Sequence, residues 1–407
     1  MNRLLKGSVT LPGSKSESNR SLMIAAYGGF PWQVENLSDA HDTVLLKSLL
    51  EQLSLRGALA TKQSTVDCED AGTVARFLLT YLANKPGKWL LTGTPRLCER
   101  PMAPLVDALR QLGAEIIGNN LPLKIIGKSL KGGAVTLDTS QSSQFASSLL
   151  LAAPIWEHGL QLTLTGDPVS MPYLEMTIKM MEHYGAQVVC DGNTFRVAHQ
   201  PYQSRPFIVS SDWSAASYWY EMMALSDGGS LLLKGLKPDS IQGDAVVAQW
   251  FERFGVLTSF EEQGARLTKV SVDPQDLVFD FSNTPDLFPS VFVTCVAFGY
   301  HARFQGIKNL SIKESNRVEA LISELSKIYN LINIYIGDDL VIEKSFLDEI
   351  FSNTNKVIFK TYQDHRIAMS LAPLALRINS FCFDDPDVVT KSYPMFWNEV
   401  RKTSALL

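Results

Sequence analysis

The chain has 407 residues, 45% apolar and 19% charged, with a net charge of −5 and a pI near 5.8. That length suits two or three domains with large cores, and the acidic balance argues against nucleic acid as a partner, which would need a basic face. The longest apolar runs, such as 149–156, fall far short of the roughly 20 residues of a membrane span. The N-terminal residues lack the apolar core of a signal peptide. Five cysteines (Cys68, Cys98, Cys190, Cys295, Cys382) form no C-x-x-C pair, and six histidines show no metal-ligand spacing. The expectation is a cytoplasmic, reduced, monomeric protein with no membrane partner, no cofactor and no metal.

In chain order, a strand-like start at Ser8-Val-Thr-Leu11 is broken by Pro12-Gly13. Ser14 and Ser16 then offer caps for a helix whose apolar body begins at Leu22. A helix N-terminus attracts anions, and Lys15 stands at its mouth with Arg20 one turn beyond Ser16 on the same face. A phosphate or carboxylate would fit there, although the stretch is not a Walker loop. The bland alternative is a capped surface helix with solvated charges.

The same device recurs. Small turns at Asp70-Ala-Gly-Thr, Ser142-Ser-Gln-Phe145, Asp212-Trp-Ser-Ala, Thr284-Pro-Asp286 and Gln363-Asp-His-Arg366 each precede an apolar run. Anchored at 15, 72, 142, 212, 286 and 365, the six stretches follow one another at 57 to 79 residues. A repeat of this period means supersecondary blocks that pack against their siblings. Between anchors, Ala134-Val-Thr-Leu137, Leu160–Thr165 and Gly229-Ser-Leu-Leu-Leu233 read as strands. Leu105–Gly113, Met176–Gly185 and Val246–Gly255 read as amphipathic helices closed by glycine. The class is α/β with mixed strands rather than a doubly wound sheet.

Seven segments in register resemble the 3-phosphoshikimate 1-carboxyvinyltransferase (EPSP synthase) family. They are Leu11-Pro-Gly-Ser-Lys-Ser-Glu-Ser-Asn-Arg20, Ala71-Gly-Thr73, Glu99-Arg-Pro-Met102, Ser142-Ser-Gln-Phe145, Lys313-Glu-Ser-Asn-Arg317, Asp364-His-Arg-Ile-Ala-Met369 and Lys391-Ser-Tyr-Pro394. The resemblance implies a two-lobed inside-out α/β barrel of six βαβαββ repeats, three per lobe, with the active site in the interdomain cleft. It divides the chain into residues 13–209 and residues 1–12 plus 210–407. The implied reaction transfers the enolpyruvyl group of phosphoenolpyruvate to the 5-hydroxyl of shikimate 3-phosphate and releases phosphate.

By that resemblance, Lys15, Ser16, Arg20, Ser142, Ser143, Ser170, Tyr173, Asp286, Asn309 and Lys313 bind shikimate 3-phosphate. Lys15, Gly72, Arg100, Gln144, Arg317, Arg366 and Lys391 bind phosphoenolpyruvate. Asp286, Glu314 and Lys15 are the candidates for the proton transfers, with the division of labour left open. Arginine suits two-point grips on phosphate or carboxylate, and glycine at 72 lets a backbone N–H approach an anion closely.

Two rivals share features. A sister transferase acting on UDP-N-acetylglucosamine uses a loop cysteine, but places it five residues before its Arg-Pro, whereas Cys98 lies two before Arg100. A non-catalytic paralogue would be expected to have lost ionisable motif residues, and Lys15, Asp286, Glu314 and Arg366 are all present. The chain departs from the family pattern at Glu69-Asp70, where Gly-Asn is usual, and at Asn316, where Asp is common. Asp70 is expected to cap the helix that follows and to offset positive potential near phosphoenolpyruvate.

Overall fold

The computed structural model describes residues 3–55, 63–166, 169–273, 277–347, 357–378 and 380–403. The chain divides into two compact units, Ser14–Val209 and Met1–Gly13 together with Ser210–Leu407. At the crossing, Gly13 pairs with Ser211 in an isolated antiparallel bridge, and the Asp212 N–H donates to the Pro12 carbonyl at 3.0 Å. Among the described residues no helix is long and apolar enough to cross a membrane.

Among the described residues, each unit contains two four-stranded sheets and one two-stranded parallel pair. In Ser14–Val209 the strands Ser64–Asp67 and Gly87–Thr92 run parallel, and Leu123–Gly127 and Glu115–Ile117 continue that sheet antiparallel. Gly133–Asp138, Leu160–Thr165, Thr194–Val197 and Val189–Asp191 repeat the pattern. In the other unit, Leu4–Thr10 with Gly228–Lys234, and Leu277–Asp280 with Ala302–Gln305, are the corresponding parallel pairs. A helix crosses between the strands of each parallel pair, a second helix follows, and a hairpin closes the sheet. In the units built on Val34–Glu35 with Phe207–Ile208 and on Val357–Phe359 with Phe381–Phe383, only the parallel pair is present among the described residues.

The helices sit inside and the sheets outside, for a reason visible in the burial patterns. Strand Leu160–Thr165 alternates buried and open positions, so one face meets solvent. The crossing helices are buried all round: twelve of the thirteen residues of Trp213–Leu225 and nine of the ten of Ser143–Ala152 are buried. A helix without a polar face belongs in an interior. The core of the Met1–Gly13/Ser210–Leu407 unit runs unbroken from Leu5 to Val400. Some of the polar residues that the inner helices carry pair with one another or with a neighbouring helix, as in Thr43 to Asn19 at 2.9 Å and Thr80 with Ser148 at 2.6 Å. All six recurring turns seen in the sequence lead into these crossing helices: Lys15–Gly28, Gly72–Asn84, Ser143–Ala152, Trp213–Leu225, Phe288–Phe298 and His365–Leu371.

Candidate active site

In the Ser14–Val209 unit the first crossing helix starts at Lys15, capped by Ser14, whose hydroxyl accepts from the Glu17 N–H at 3.4 Å. Ser16 lies inside the helix and does not cap it. Lys15 Nζ meets Asp42 Oδ2 at 3.0 Å. Arg20 is buried and fastened. Nε donates to Thr177 Oγ1 at 2.7 Å, Nη1 to the Ser16 carbonyl at 3.0 Å, and Nη2 to the Tyr173 carbonyl at 3.0 Å and Ser147 Oγ at 3.4 Å. Burial lowers its pKa to about 10. Arg20 thus ties the first crossing helix to the start of Met171–His183, whose preceding residue, Ser170, adopts a left-handed conformation (φ 57°) without capping the helix. Such strain in a non-glycine residue persists only where surrounding contacts hold it.

Gly72 opens the helix Gly72–Asn84. A Cβ placed on it would lie 2.4 Å from Arg100 Nη1 and 2.9 Å from Arg76 Nη1. Two guanidinium groups therefore converge on one stretch of backbone at a helix N-terminus, which is an anion-binding arrangement. Arg76 also donates to Gln144 Oε1 at 2.8 Å, and Gln144 Nε2 donates to Thr73 Oγ1 at 3.0 Å. Ser142 caps the next crossing helix, accepting from the Gln144 N–H at 3.2 Å, with buried Ser143 at its first position. Gly72→Ala is expected to push Arg100 and Arg76 apart and raise the KM for phosphoenolpyruvate about tenfold, the size of one charge-assisted hydrogen bond. Steady-state kinetics at saturating shikimate 3-phosphate would test this, an unchanged KM contradicting it.

The expectation that Asp70 caps this helix is corrected by the structure. The N-cap is Ala71, which makes no side-chain cap hydrogen bond. Asp70 stands one position too early for its carboxylate to take the usual capping role.

The other unit carries a second cluster. Arg317, buried on Arg317–Leu325, donates from Nε to Asp364 Oδ2 at 2.9 Å, from Nη1 to Asp286 Oδ1 at 3.0 Å and from Nη2 to Glu314 Oε2 at 2.7 Å. Burial works to lower its pKa, but Asp364, Glu314 and Asp286 outweigh it and hold the guanidinium firmly charged. Arg366 Nη2 meets the other oxygen of Asp286 at 2.6 Å, and its Nη1 donates to the Tyr218 hydroxyl at 3.3 Å. Burial pushes the Asp286 pKa up, yet Arg366, Arg317 and Lys313 prevail and hold it well below the usual carboxylate range. Asp364 caps the helix that carries Arg366, accepting from the Arg366 N–H at 3.0 Å, and also accepts from Ser315 Oγ at 3.0 Å. Lys391 is buried at the end of a 3₁₀ turn, Pro386–Lys391, and Asn309 is half-buried in another, Lys308–Ile312. Asn316 caps Arg317–Leu325, accepting from the Glu319 N–H at 3.5 Å, a role that asparagine and aspartate fill about equally well.

The structure thus gathers Gly72, Arg100 and Gln144 in one unit and Asp286, Lys313, Glu314, Arg317 and Arg366 in the other. Sequence reasoning missed four participants. Arg76 lies four residues past Gly72, as Arg20 does past Ser16, and that spacing was a readable signal. Asp364 sits in the Asp-His-Arg segment. Asp42 carried no signal. Nor did Asp244, whose carboxyl accepts from Ser214 and is pushed up to about 7 by burial and by the charge of Asp286.

An α/β repeat protein with a buried arginine cluster in each unit, one of them interlocked with carboxylates, is the class that fold and geometry define. Comparison with known proteins narrows it. The family model for EPSP synthase (3-phosphoshikimate 1-carboxyvinyltransferase) matches residues 2–400, and the chain belongs to that family. A 3-phosphoshikimate 1-carboxyvinyltransferase from Bacteroides fragilis strain YCH46 is 41% identical over 404 residues, covering 98% of this chain and 95% of the relative. One from Syntrophobacter fumaroxidans is 33% identical over 419 residues, covering 98% and 97%. The solved EPSP synthase of Acinetobacter baumannii shares the fold with a TM-score of 0.77 at 23% identity, over 99% of this chain and 97% of that one.

Proposed function

We propose that the protein transfers the enolpyruvyl group of phosphoenolpyruvate to the 5-hydroxyl of shikimate 3-phosphate, releasing phosphate, within aromatic amino acid and chorismate biosynthesis. The observation that carries this reading is the full-length family match, 41% identity to a named relative included. The UDP-N-acetylglucosamine transferase is not favoured. Cys98 lies within a short helix, Pro95–Glu99, and its thiol donates to the Gly93 carbonyl at 3.5 Å.

Both substrates carry a phosphate and a carboxylate, so the acidic protein must present local positive charge. Lys15, Ser16, Arg20, Ser142, Ser143, Ser170, Tyr173, Asn309 and Lys313 hold shikimate 3-phosphate. Gly72, Arg100, Gln144, Arg317, Arg366 and Lys391 hold phosphoenolpyruvate, with Lys15 close to both. The 5-hydroxyl oxygen attacks C2 of phosphoenolpyruvate and loses its proton, while C3 gains one and becomes a methyl group. The tetrahedral intermediate then breaks its C–O bond to phosphate and returns a methyl proton.

Asp286 is an anion clamped by two guanidinium groups and is a weak base in that state. Phosphoenolpyruvate binding to Arg366 and Arg317 would draw those cations toward the substrate and raise the basicity of Asp286 as the 5-hydroxyl arrives. Glu314, which accepts from Arg317, is the candidate at C3, with Lys15 a partner to either carboxylate. The same reading has the enzyme act in the cytoplasm as a monomer whose partners are its two substrates. The test is phosphate release in the presence of both substrates. Release that continues when shikimate 3-phosphate is omitted, or none with both present, would reject the assignment.

A further inference from the structure

We propose that His41 and Glu69 form a clamp that fixes the turn ahead of Gly72 and so positions Gly72 and Arg100 for phosphoenolpyruvate. The inference rests on the assignment of those two residues to that substrate. Glu69 is held at φ 50°, a left-handed conformation that glycine adopts freely and glutamate does not. Its backbone is tied on both sides. The Glu69 N–H donates to Asp67 Oδ1 at 2.8 Å, and the Glu69 carbonyl accepts from the Thr94 N–H at 2.7 Å. The Gly93 backbone passes so close that a Cβ there would lie 2.5 Å from that carbonyl. Thr94 in turn caps Pro95–Glu99, the short helix that ends at Arg100. Glu69 is therefore the node between Gly72, three residues on, and the segment that delivers Arg100.

The side chain of this strained residue has one described partner, His41, whose Nε2 lies 2.7 Å from Oε2. His41 opens the helix His41–Leu55, and its neighbour Asp42 holds Lys15. The clamp thereby links the Gly72 turn, the Arg100 segment and the helix that holds Lys15. Both partners are about half exposed, at 47% and 48%, and an exposed pair stabilises a fold little. Its effect is local: it favours the left-handed Glu69 over relaxed alternatives that would shift the turn.

The experiment compares His41→Ala and Glu69→Gly singly and together, with His41→Gln as the variant that can still donate to Glu69. His41→Ala should raise the KM for phosphoenolpyruvate about three- to tenfold, with kcat, the KM for shikimate 3-phosphate and the melting temperature nearly level, and His41→Gln should recover most of the loss. In the Glu69→Gly background the His41→Ala penalty should vanish, because glycine needs no clamp to keep a positive φ. An unchanged KM in His41→Ala, or a penalty of the same size beside Gly at 69, overturns the proposal. Arg100→Ala is the control. If it raises the KM for phosphoenolpyruvate while His41→Ala does not, only the clamp fails. If Arg100→Ala leaves that KM level, the underlying assignment fails with it.

Discussion

Replacing Asp286 by asparagine is expected to lower turnover by roughly 10²–10⁴, the usual effect of losing a general acid–base group, while shikimate 3-phosphate still binds. Asparagine keeps the shape and can still accept from one guanidinium, so the fold should survive. What it loses is the charge that Arg366 and Arg317 share. Arg317 retains Asp364 and Glu314, and Arg366 retains the Tyr218 hydroxyl but loses the negative charge that it met at Asp286. Arg366 would thus be freer to meet an anionic substrate, and the KM for phosphoenolpyruvate should stay level or fall. A residue that merely anchors the two arginines would behave the other way, with a raised KM and a nearly intact kcat. Rate constants with each substrate varied, beside a direct binding measurement for shikimate 3-phosphate, separate these cases. Near-normal turnover would remove Asp286 from the proton transfers.

The second large effect is on stability. Glu221 lies fully buried in Trp213–Leu225, and neither carboxyl oxygen has a hydrogen-bond partner among the described residues. Burial raises its pKa well above the ordinary value of 4.5. Three charged groups near this helix have partners other than Glu221. Asp244 meets Ser214, Arg366 meets Asp286, and Lys269 donates to the carbonyls of Ala224 and Ser226. The buried Tyr329 hydroxyl, raised to about 12 mainly by burial, also feels the field of Glu221 and likewise lacks a partner. The folded state therefore holds Glu221 protonated at pH values where the unfolded chain ionises it. The contribution of Glu221 to stability is greatest below pH 4.5 and falls as pH rises toward the raised folded value, with a slope of at most about 1.4 kcal/mol per pH unit.

Glu221→Met fills the same space without a polar group. Removing a buried unsatisfied group is worth about 1–3 kcal/mol before the ionisation term is added. For a unit of this size the melting temperature of Glu221→Met at pH 7 should exceed that of the parent by on the order of 5 °C. Calorimetry at pH 5 and pH 7.5 should show the gap widening with pH. A gap that is constant or reversed would mean that Glu221 is stabilised in a way this account omits.

Much of the molecule is written in local sequence. The six turns before apolar runs mark six crossing helices, because a cap acts within three residues and an all-apolar run must be interior. Ser142 and Asp364 cap the helices they precede for the same reason, and strand Leu160–Thr165 keeps its predicted bounds. The order of the motifs carried the family. Local rules failed where one residue of spacing mattered, as at Asp70, which stands beside the cap position. Tertiary structure alone decided the pairings over long separations: Arg20 with Thr177, 157 residues away, and Arg366 with Asp286, 80 residues away. It also decided that Arg76 joins Arg100 over Gly72, that Glu69 finds His41, and that Glu221 meets no hydrogen-bond partner among the described residues. Hydrophobic period tells which face of a helix is buried. It does not tell which other face it meets, and a charge takes its partner, its pKa and its chemistry from that meeting.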